Sequence, residues 1–481
     1  MSTTNNEDNK FNETDKTQSS NNTEDANKTE PASYNPTLVE NDCEENDLER
    51  LKGDAIGDTL YSERFVLNTL LKLGQLEKDL QEEDEIERDL CSLWDMTLEE
   101  DVVKYLLKHD VLELFANIIK STDDKRLTEI LVGILGNMCN VQQTRNLLTE
   151  KKEVIETLLE LSNCMDSLTL EQLMRLLAVV FVKMSEEQIE KWYNLILKSD
   201  KFVENLCFIL NNAANNSLIL QTMETLNAIL AKFFVLKLSL ATENGKSLDE
   251  ISKTSFEELF VQSEMIECSI EAFKTLVKES ANKQDSYEAA EIPESIHKAK
   301  QTFCNIHSIL TQYQQLSRDA YETSNDEIIK CFKDILRPMA EDDIINRWQQ
   351  YEQDVLETLN DVLRVLPQPL DLDIFSYLLK LFYHVDKEQE KQLQKTAAAS
   401  NDFESDNDDD DDDNEIDHQI SYTIILNTLY YLLLKADKDL LKQYVAACPR
   451  IYSVKLLESF EQPLETDYMK NCYGKLKEAL D

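Results

Sequence analysis

Apolar residues recur three and four apart along most of this chain, the spacing that places them on one face of an α-helix. The segment Leu127–Met138 shows it most clearly. Its apolar positions predict one long helix, Gly133 and Gly136 are small enough to permit close approach, and Asn137 is expected to face outward near the helix end. The residues before it predict two shorter helices. Thr97-Leu98-Glu99-Glu100 reads as a capping box, with Thr97 accepting from a backbone N–H and Glu100 reaching back. A short helix then runs to about Lys108, and a second starts at Val111. Asp123-Asp124 break the chain and put negative charge where the third helix begins. The series then restarts, with a short helix over Gln142 to Leu148, a second from Val154 and a third over Leu170 to Met184. Leu112-Glu113 falls on Ile155-Glu156 and Leu127 on Leu170, an offset of 43 residues.

That period lies in the range of roughly 40–47 residues used by armadillo and HEAT repeats. One such unit cannot bury its apolar face alone, so neighbours must stack on it. The expected fold is all-α, an α-solenoid of armadillo/HEAT-like repeats wound as a right-handed superhelix. Ser185-Glu186-Glu187-Gln188 is another capping-box pattern. Phe202-Val203-Glu204, Met265-Ile266-Glu267 and Val355-Leu356-Glu357 restate the start of a second helix at wider spacings, so the repeats are regular to about residue 215 and degenerate after it. Pro338, Pro367 and Pro369 punctuate later helices.

Five regions follow. Residues 1–50, rich in Asn, Thr, Glu and Asp, form a disordered tail. Residues 51–96 supply N-terminal helices and an acidic linker, 97–385 the repeats, 386–419 a disordered acidic loop, and 420–481 a helical cap.

Composition narrows the function. The 481 residues include only 7 Gly and 8 Pro, with no Pro between Pro36 and Pro293 and no Gly between Gly136 and Gly245. Strands and phosphate-cradling loops need those residues, so their absence again favours helices. The net charge is −45, concentrated in 1–52, 77–101 and 386–417. Such a field repels phosphates and anionic lipid, which argues against direct nucleic-acid or membrane binding. Ten Cys without a Cys-x-x-Cys pair, behind a polar N-terminus, suit a reducing compartment and a protein that is not secreted. The best membrane candidate, Ile420 to Leu434, is too short and too polar to span.

Three segments carry a family resemblance. Gly53-Asp54-Ala55-Ile56-Gly57-Asp58-Thr59-Leu60-Tyr61-Ser62, Leu93-Trp94-Asp95-Met96-Thr97-Leu98-Glu99-Glu100-Asp101-Val102 and Val132-Gly133-Ile134-Leu135-Gly136-Asn137-Met138, in that order and linked by an acidic stretch, closely resemble the serum amyloid A-like protein one family. The resemblance covers about residues 52–140 specifically. It implies an armadillo-like fold, a nuclear location, no known catalysis, and a link to cell proliferation; the expected location of the chain is nuclear or nucleocytoplasmic.

Two residues stand out as candidate sites. An Asn at the place of Asn137 lines the concave groove of peptide-binding armadillo proteins, where its amide meets a peptide backbone. The bland alternative is that Asn137 caps its helix or bonds a neighbouring loop. The Trp that import receptors carry four residues earlier is Gly133 here, and the next repeat has Leu176 and Val180, so that Trp–Asn ladder is missing. Trp94 is expected to plug the N-terminal end of the solenoid, with Trp94→Ala costing roughly 3–5 kcal/mol as for a buried aromatic. Ser405, three residues before the six-Asp run Asp408–Asp413, suits an acidophilic kinase. Cys304, His307 and His297 lack the second ligand pair that structural zinc needs, so no metal is expected. No nucleophile elbow, phosphate loop, dinucleotide fingerprint or metalloprotease motif is present, so neither catalysis nor a cofactor is expected. The reading is a non-catalytic scaffold or adaptor holding an extended or helical protein segment in its groove. Its rivals are an acidic chaperone or escort that attracts basic proteins through the loop, and a helical enzyme with an unfamiliar site.

Overall fold

The computed structural model describes residues 54–76, 80, 84–199, 201–244, 255–284, 294–341, 348, 350–399, 418–460 and 466–481. The expected N-terminal tail, Ser405 and the six-Asp run lie outside the described residues. Among the described residues the only β pairing is an isolated bridge of Ala55 with Ser62. All other regular structure is helical.

Helices α1 (Glu63–Gly74) and α2 (Asp84–Met96) lead the array. Three units of three helices follow: α3 (Glu100–Leu107), α4 (Val111–Ser121) and α5 (Lys125–Met138); α6 (Gln142–Glu150), α7 (Lys152–Glu160) and α8 (Ser167–Lys183); α9 (Glu186–Ile196), α10 (Phe202–Asn212) and α11 (Asn216–Asn244). The expected boundaries over 97–184 hold to within a few residues. Beyond them lie α12 (Ser255–Phe260), α13 (Ser263–Gln284), α14 (Glu294–Leu310), α15 (Gln314–Tyr321), α16 (Asn325–Met339), α17 (Gln350–Val365) and α18 (Leu372–Ala399). Helices α19 (His418–Lys435), α20 (Lys438–Ala447), α21 (Arg450–Glu458) and α22 (Asp467–Leu480) end the chain.

The helices stack in parallel ladders. The third helices pack in series, α2 on α5, then α8, α11, α14, α17, α19 and α22. The second helices form another series from α4 through α7, and from α10 through α13, α16 and α18 to α21. The chain is therefore an all-α solenoid of armadillo-like repeats, with its core between the two ladders. Large side chains fill that core without contact with water, among them Trp192, Phe181, Phe202, Phe303 and Phe332. Burying each such side chain contributes about 1.5–3 kcal/mol.

The 43-residue period reappears as bonds between neighbouring units. Asn137 Nδ2 donates to the Trp94 carbonyl at 3.1 Å, Trp192 Nε1 to Thr149 Oγ1 at 3.2 Å and Asn205 Nδ2 to Ser162 Oγ at 2.9 Å, each across 43 positions. Farther along, Thr225 reaches Met174 across 51 positions and Thr358 reaches Cys304 across 54, where longer third helices and connections enlarge the unit.

Several local expectations change. At Thr97 no capping box forms: the N-cap of α3 is Glu99 without a side-chain bond, while Thr97 Oγ1 donates to the Trp94 carbonyl at 2.6 Å. At Ser185 the box does form, with Gln188 Oε1 accepting from the Ser185 N–H at 3.1 Å. Asp124 caps α5 by accepting from Leu127 N–H at 3.0 Å. Val355-Leu356-Glu357 lies inside α17, a third-ladder helix, so its likeness to a second-helix start is accidental. Helix α18 continues to Ala399, through the first part of the expected acidic loop. Among the described residues, the helix long and apolar enough to cross a membrane, by length and composition, is α11 rather than the segment from Ile420. It packs within the ladder against α8, α13 and α14.

Candidate functional site

Helix α5 carries the first part of the site. Gly133 and Gly136 are both used, but by side chains rather than by backbone approach. A Cβ at Gly133 would lie 2.1 Å from Trp94 Cζ2, and one at Gly136 would lie 3.2 Å from Arg175 Nη2. Trp94 on α2 thus fills the place that a third-helix Trp would occupy at residue 133. It is half-buried rather than a sealed plug.

Asn137 is not directed outward. Only 6% of it is exposed. Its Nδ2 donates to the Trp94 carbonyl and to Thr97 Oγ1 at 3.3 Å, and its Oδ1 accepts from Arg175 Nη1 at 3.0 Å. The amide that a bound peptide backbone would need is already engaged with α2 and α8. Asn137 still borders a cavity of about 430 Å³ with Leu98 and Asn140, but its bonds are those of an internal clamp.

The third-helix ladder opens into a groove one unit farther on. A cavity of about 480 Å³ is lined by Arg175, Val179, Val182 and Lys183 of α8, Gln221, Glu224 and Asn227 of α11, and Lys298 and Asn305 of α14. Three successive third helices therefore form one open trough. Val182 is 61% exposed there. Asn227 Oδ1 is buried and has no hydrogen-bond partner, an arrangement that costs about 1–3 kcal/mol while unmatched. Neither Arg175 nor Asn227 was singled out by the sequence pattern. The available signal was a single polar residue inside an apolar run, Leu173-Met174-Arg175-Leu176-Leu177 and Leu226-Asn227-Ala228-Ile229.

Two other cavities flank the ladders. One of about 850 Å³ lies where the connection 162–165 meets α8, α10 and the start of α11, with Met165 and Phe208 among its walls. Another, of about 680 Å³, is walled by Arg318, Asp361, Arg364, Tyr431 and Lys435. Burial raises the Asp361 pKa, and the Asn360 and Gln312 amides and Arg364 counter that. No His, Cys or Ser lines this cavity.

His307, weighed above as a metal ligand, is enclosed. Its Nδ1 shares a hydrogen with Tyr321 OH at 2.6 Å and its Nε2 with Ser269 Oγ at 3.2 Å. All three residues are fully buried, and burial drives the imidazole pKa down to about 3. The triad ties α13, α14 and α15 together and is neutral. Burial also pushes the Cys304 thiol up, and the His297 ring packs tilted against Tyr351 at 4.5 Å between ring centroids. Among the described residues no group of three His, Cys, Asp or Glu side chains is placed to hold a metal.

No family model matches the chain. It is similar to protein saal1 of Danio rerio, 31% identical over 196 residues that cover 39% of this chain and 41% of that protein. It is also similar to protein saal1 of Xenopus tropicalis, 28% identical over 249 residues, covering 49% and 53%. With human SAAL1 it shares 28% identity over 253 residues, covering 49% and 52%. The chain spans about half the length of the curated relatives it matches. Among solved structures, SYS-1 superposes with a TM-score of 0.48 at 11% identity, covering 86% of this chain and 62% of that one. A designed armadillo repeat protein in complex with the peptide (KR)4 gives 0.38 at 14% identity, covering 61% and 98%. Similarity to the SAAL1 proteins, at 27–31% identity, and an armadillo-like architecture are the relationships this chain displays.

Proposed function

We propose that this chain is a non-catalytic protein-interaction scaffold that holds an extended segment of a protein partner along its third-helix ladder. The observation that carries the reading is the trough across α8, α11 and α14, which combines an exposed Val182 with the unpartnered, buried Asn227 Oδ1. With the Asn227 amide turned toward the trough, a peptide backbone supplies the N–H that this acceptor lacks, and apolar side chains cover such a valine. A nuclear location and a role in proliferation extend the likeness to the SAAL1 proteins. They are tested by imaging the tagged chain and by depleting it from dividing cells.

Against chemistry, the residues whose titration is most displaced, such as His307 and Tyr321, line none of the four cavities described. The acidic-escort reading keeps one motivation, the run Asp408–Asp413 with Ser405 beside it. A crosslinking pull-down from cells separates the two. With the groove reading, Val182→Glu and Asn227→Ala each lose a specific partner, and deletion of 402–417 retains it. Loss of basic partners on the deletion alone would assign binding to the acidic tract. Mass spectrometry of cell-derived protein tests Ser405, which should carry phosphate under at least one growth condition.

A further inference from the structure

Arg175 is a part-buried cation that bonds no carboxylate, although the sequence holds 94 acidic residues to 49 basic ones. Arg145 and Lys475 are likewise held by backbone carbonyls, but they do not line the trough. Arg126, on the neighbouring third helix, pairs with Glu87 and Glu129, both at 2.8 Å. Arg175 bonds only neutral oxygens: Gln172 Oε1 at 3.0 Å, Asn137 Oδ1 at 3.0 Å and the Gly133 carbonyl at 3.1 Å. Burial without a counter-charge lowers its pKa. An arginine stays charged regardless, so the site carries an uncompensated, partly desolvated positive charge. Of the five N–H donors of a guanidinium, three are spent on these bonds, which leaves two for a ligand.

Two further cations repeat the pattern, Lys183 in the lining of the trough and Lys232 of α11 beside the end of α8. Lys183 Nζ donates to Asn140 Oδ1 at 2.8 Å, and Lys232 Nζ donates to the Met184 carbonyl at 3.1 Å. Among the described residues none of the three has a carboxylate within ion-pairing distance. Glu224, the acidic residue lining the trough, is taken by Lys298. A strongly anionic molecule thus keeps a stretch of unneutralised positive charge in its groove.

We propose that the segment held in the groove is acidic and extended, with a carboxylate on Arg175, further acidic side chains beside Lys183 and Lys232, and a main-chain N–H donating to Asn227 Oδ1. This rests on the groove reading above and adds the chemistry of the partner. Long polyanions such as nucleic acid meet the field of the whole chain, whereas a short acidic peptide meets mainly the local cations.

The test uses the full-length chain and fluorescein-labelled peptides. The probes are alternating glutamate and valine, the same peptide with glutamine in place of glutamate, and a single-stranded oligonucleotide. The glutamate peptide should bind at least tenfold more tightly than the glutamine one, with an advantage that shrinks as salt rises. Arg175→Gln should remove that advantage and leave the glutamine peptide unaffected. Because Arg175 also bonds α5, the exposed Lys183→Gln serves as a second variant that leaves those bonds intact, and it should reduce the advantage severalfold. Equal binding of the two peptides would overturn the acidic partner while leaving the groove reading standing. Tighter binding of the oligonucleotide than of the glutamate peptide, or no binding of either peptide, would also overturn the proposal. The groove reading is judged separately, by capture of the cellular partner.

Discussion

The Trp94 indole packs against Gly133, one of the two positions of α5 that have no side chain. A Cβ there would meet Cζ2, Cε2 and Cη2 of the ring at 2.1, 2.4 and 2.6 Å. Gly133→Ala must therefore displace the indole. The expected loss of stability is about 1–3 kcal/mol, the usual cost of overpacking. Trp94→Ala should cost less than the ~3–5 kcal/mol of a fully buried aromatic, because part of the residue is exposed. In a double-mutant cycle by urea denaturation, Gly133→Ala should cost much less once Trp94 is alanine. Additive effects would show that the two residues do not share this space.

Asn137 links three helices through one amide. Asn137→Ala removes one donor from the Trp94 carbonyl, which keeps Thr97 Oγ1, and strands one donor of Arg175, so a loss of about 1–3 kcal/mol is expected. Partner capture should persist where the variant is folded, because the amide is occupied from within. Loss of the partner at unchanged melting temperature would restore Asn137 as a contact residue.

The enclosed His307 makes stability depend on pH in a defined sense. Its folded pKa of about 3 lies below the ordinary value near 6.5. Between those values the unfolded chain binds a proton that the folded chain refuses. This contribution is fully present above about pH 6.5 and is lost as pH falls, at up to about 1.4 kcal/mol per pH unit. Chemical denaturation at about pH 7 and about pH 5 should show a steeper loss for the natural chain than for His307→Gln. Equal slopes would contradict a buried neutral imidazole.

Much of the scaffold was legible in the sequence because the 43-residue period is also a contact distance in the fold. Residues one period apart, such as Trp192 and Thr149, bond to each other. The pattern also named Gly133, Gly136 and Asn137 as special. It did not identify their partners, because the neighbours that fill the space, Trp94 and Arg175, come from other units 39 and 38 positions away from Gly133 and Asn137. The triplet Val355-Leu356-Glu357 misled for a similar reason: a short apolar-acidic signature fits any amphipathic helix, whichever ladder it joins. The groove residues Arg175 and Asn227 were visible only as polar interruptions of apolar runs, and their significance lies in what they fail to bond.

The central claim is that the trough across α8, α11 and α14 receives a protein segment. A photo-crosslinking amino acid placed at Val182, with the same probe at exposed Met165 as a control, tests it directly in cells. The account predicts a discrete crosslinked partner from position 182 that is absent from position 165 and lost when Asn227→Ala is added. Capture of the same partner from position 165, or from position 182 regardless of Asn227→Ala, would contradict it.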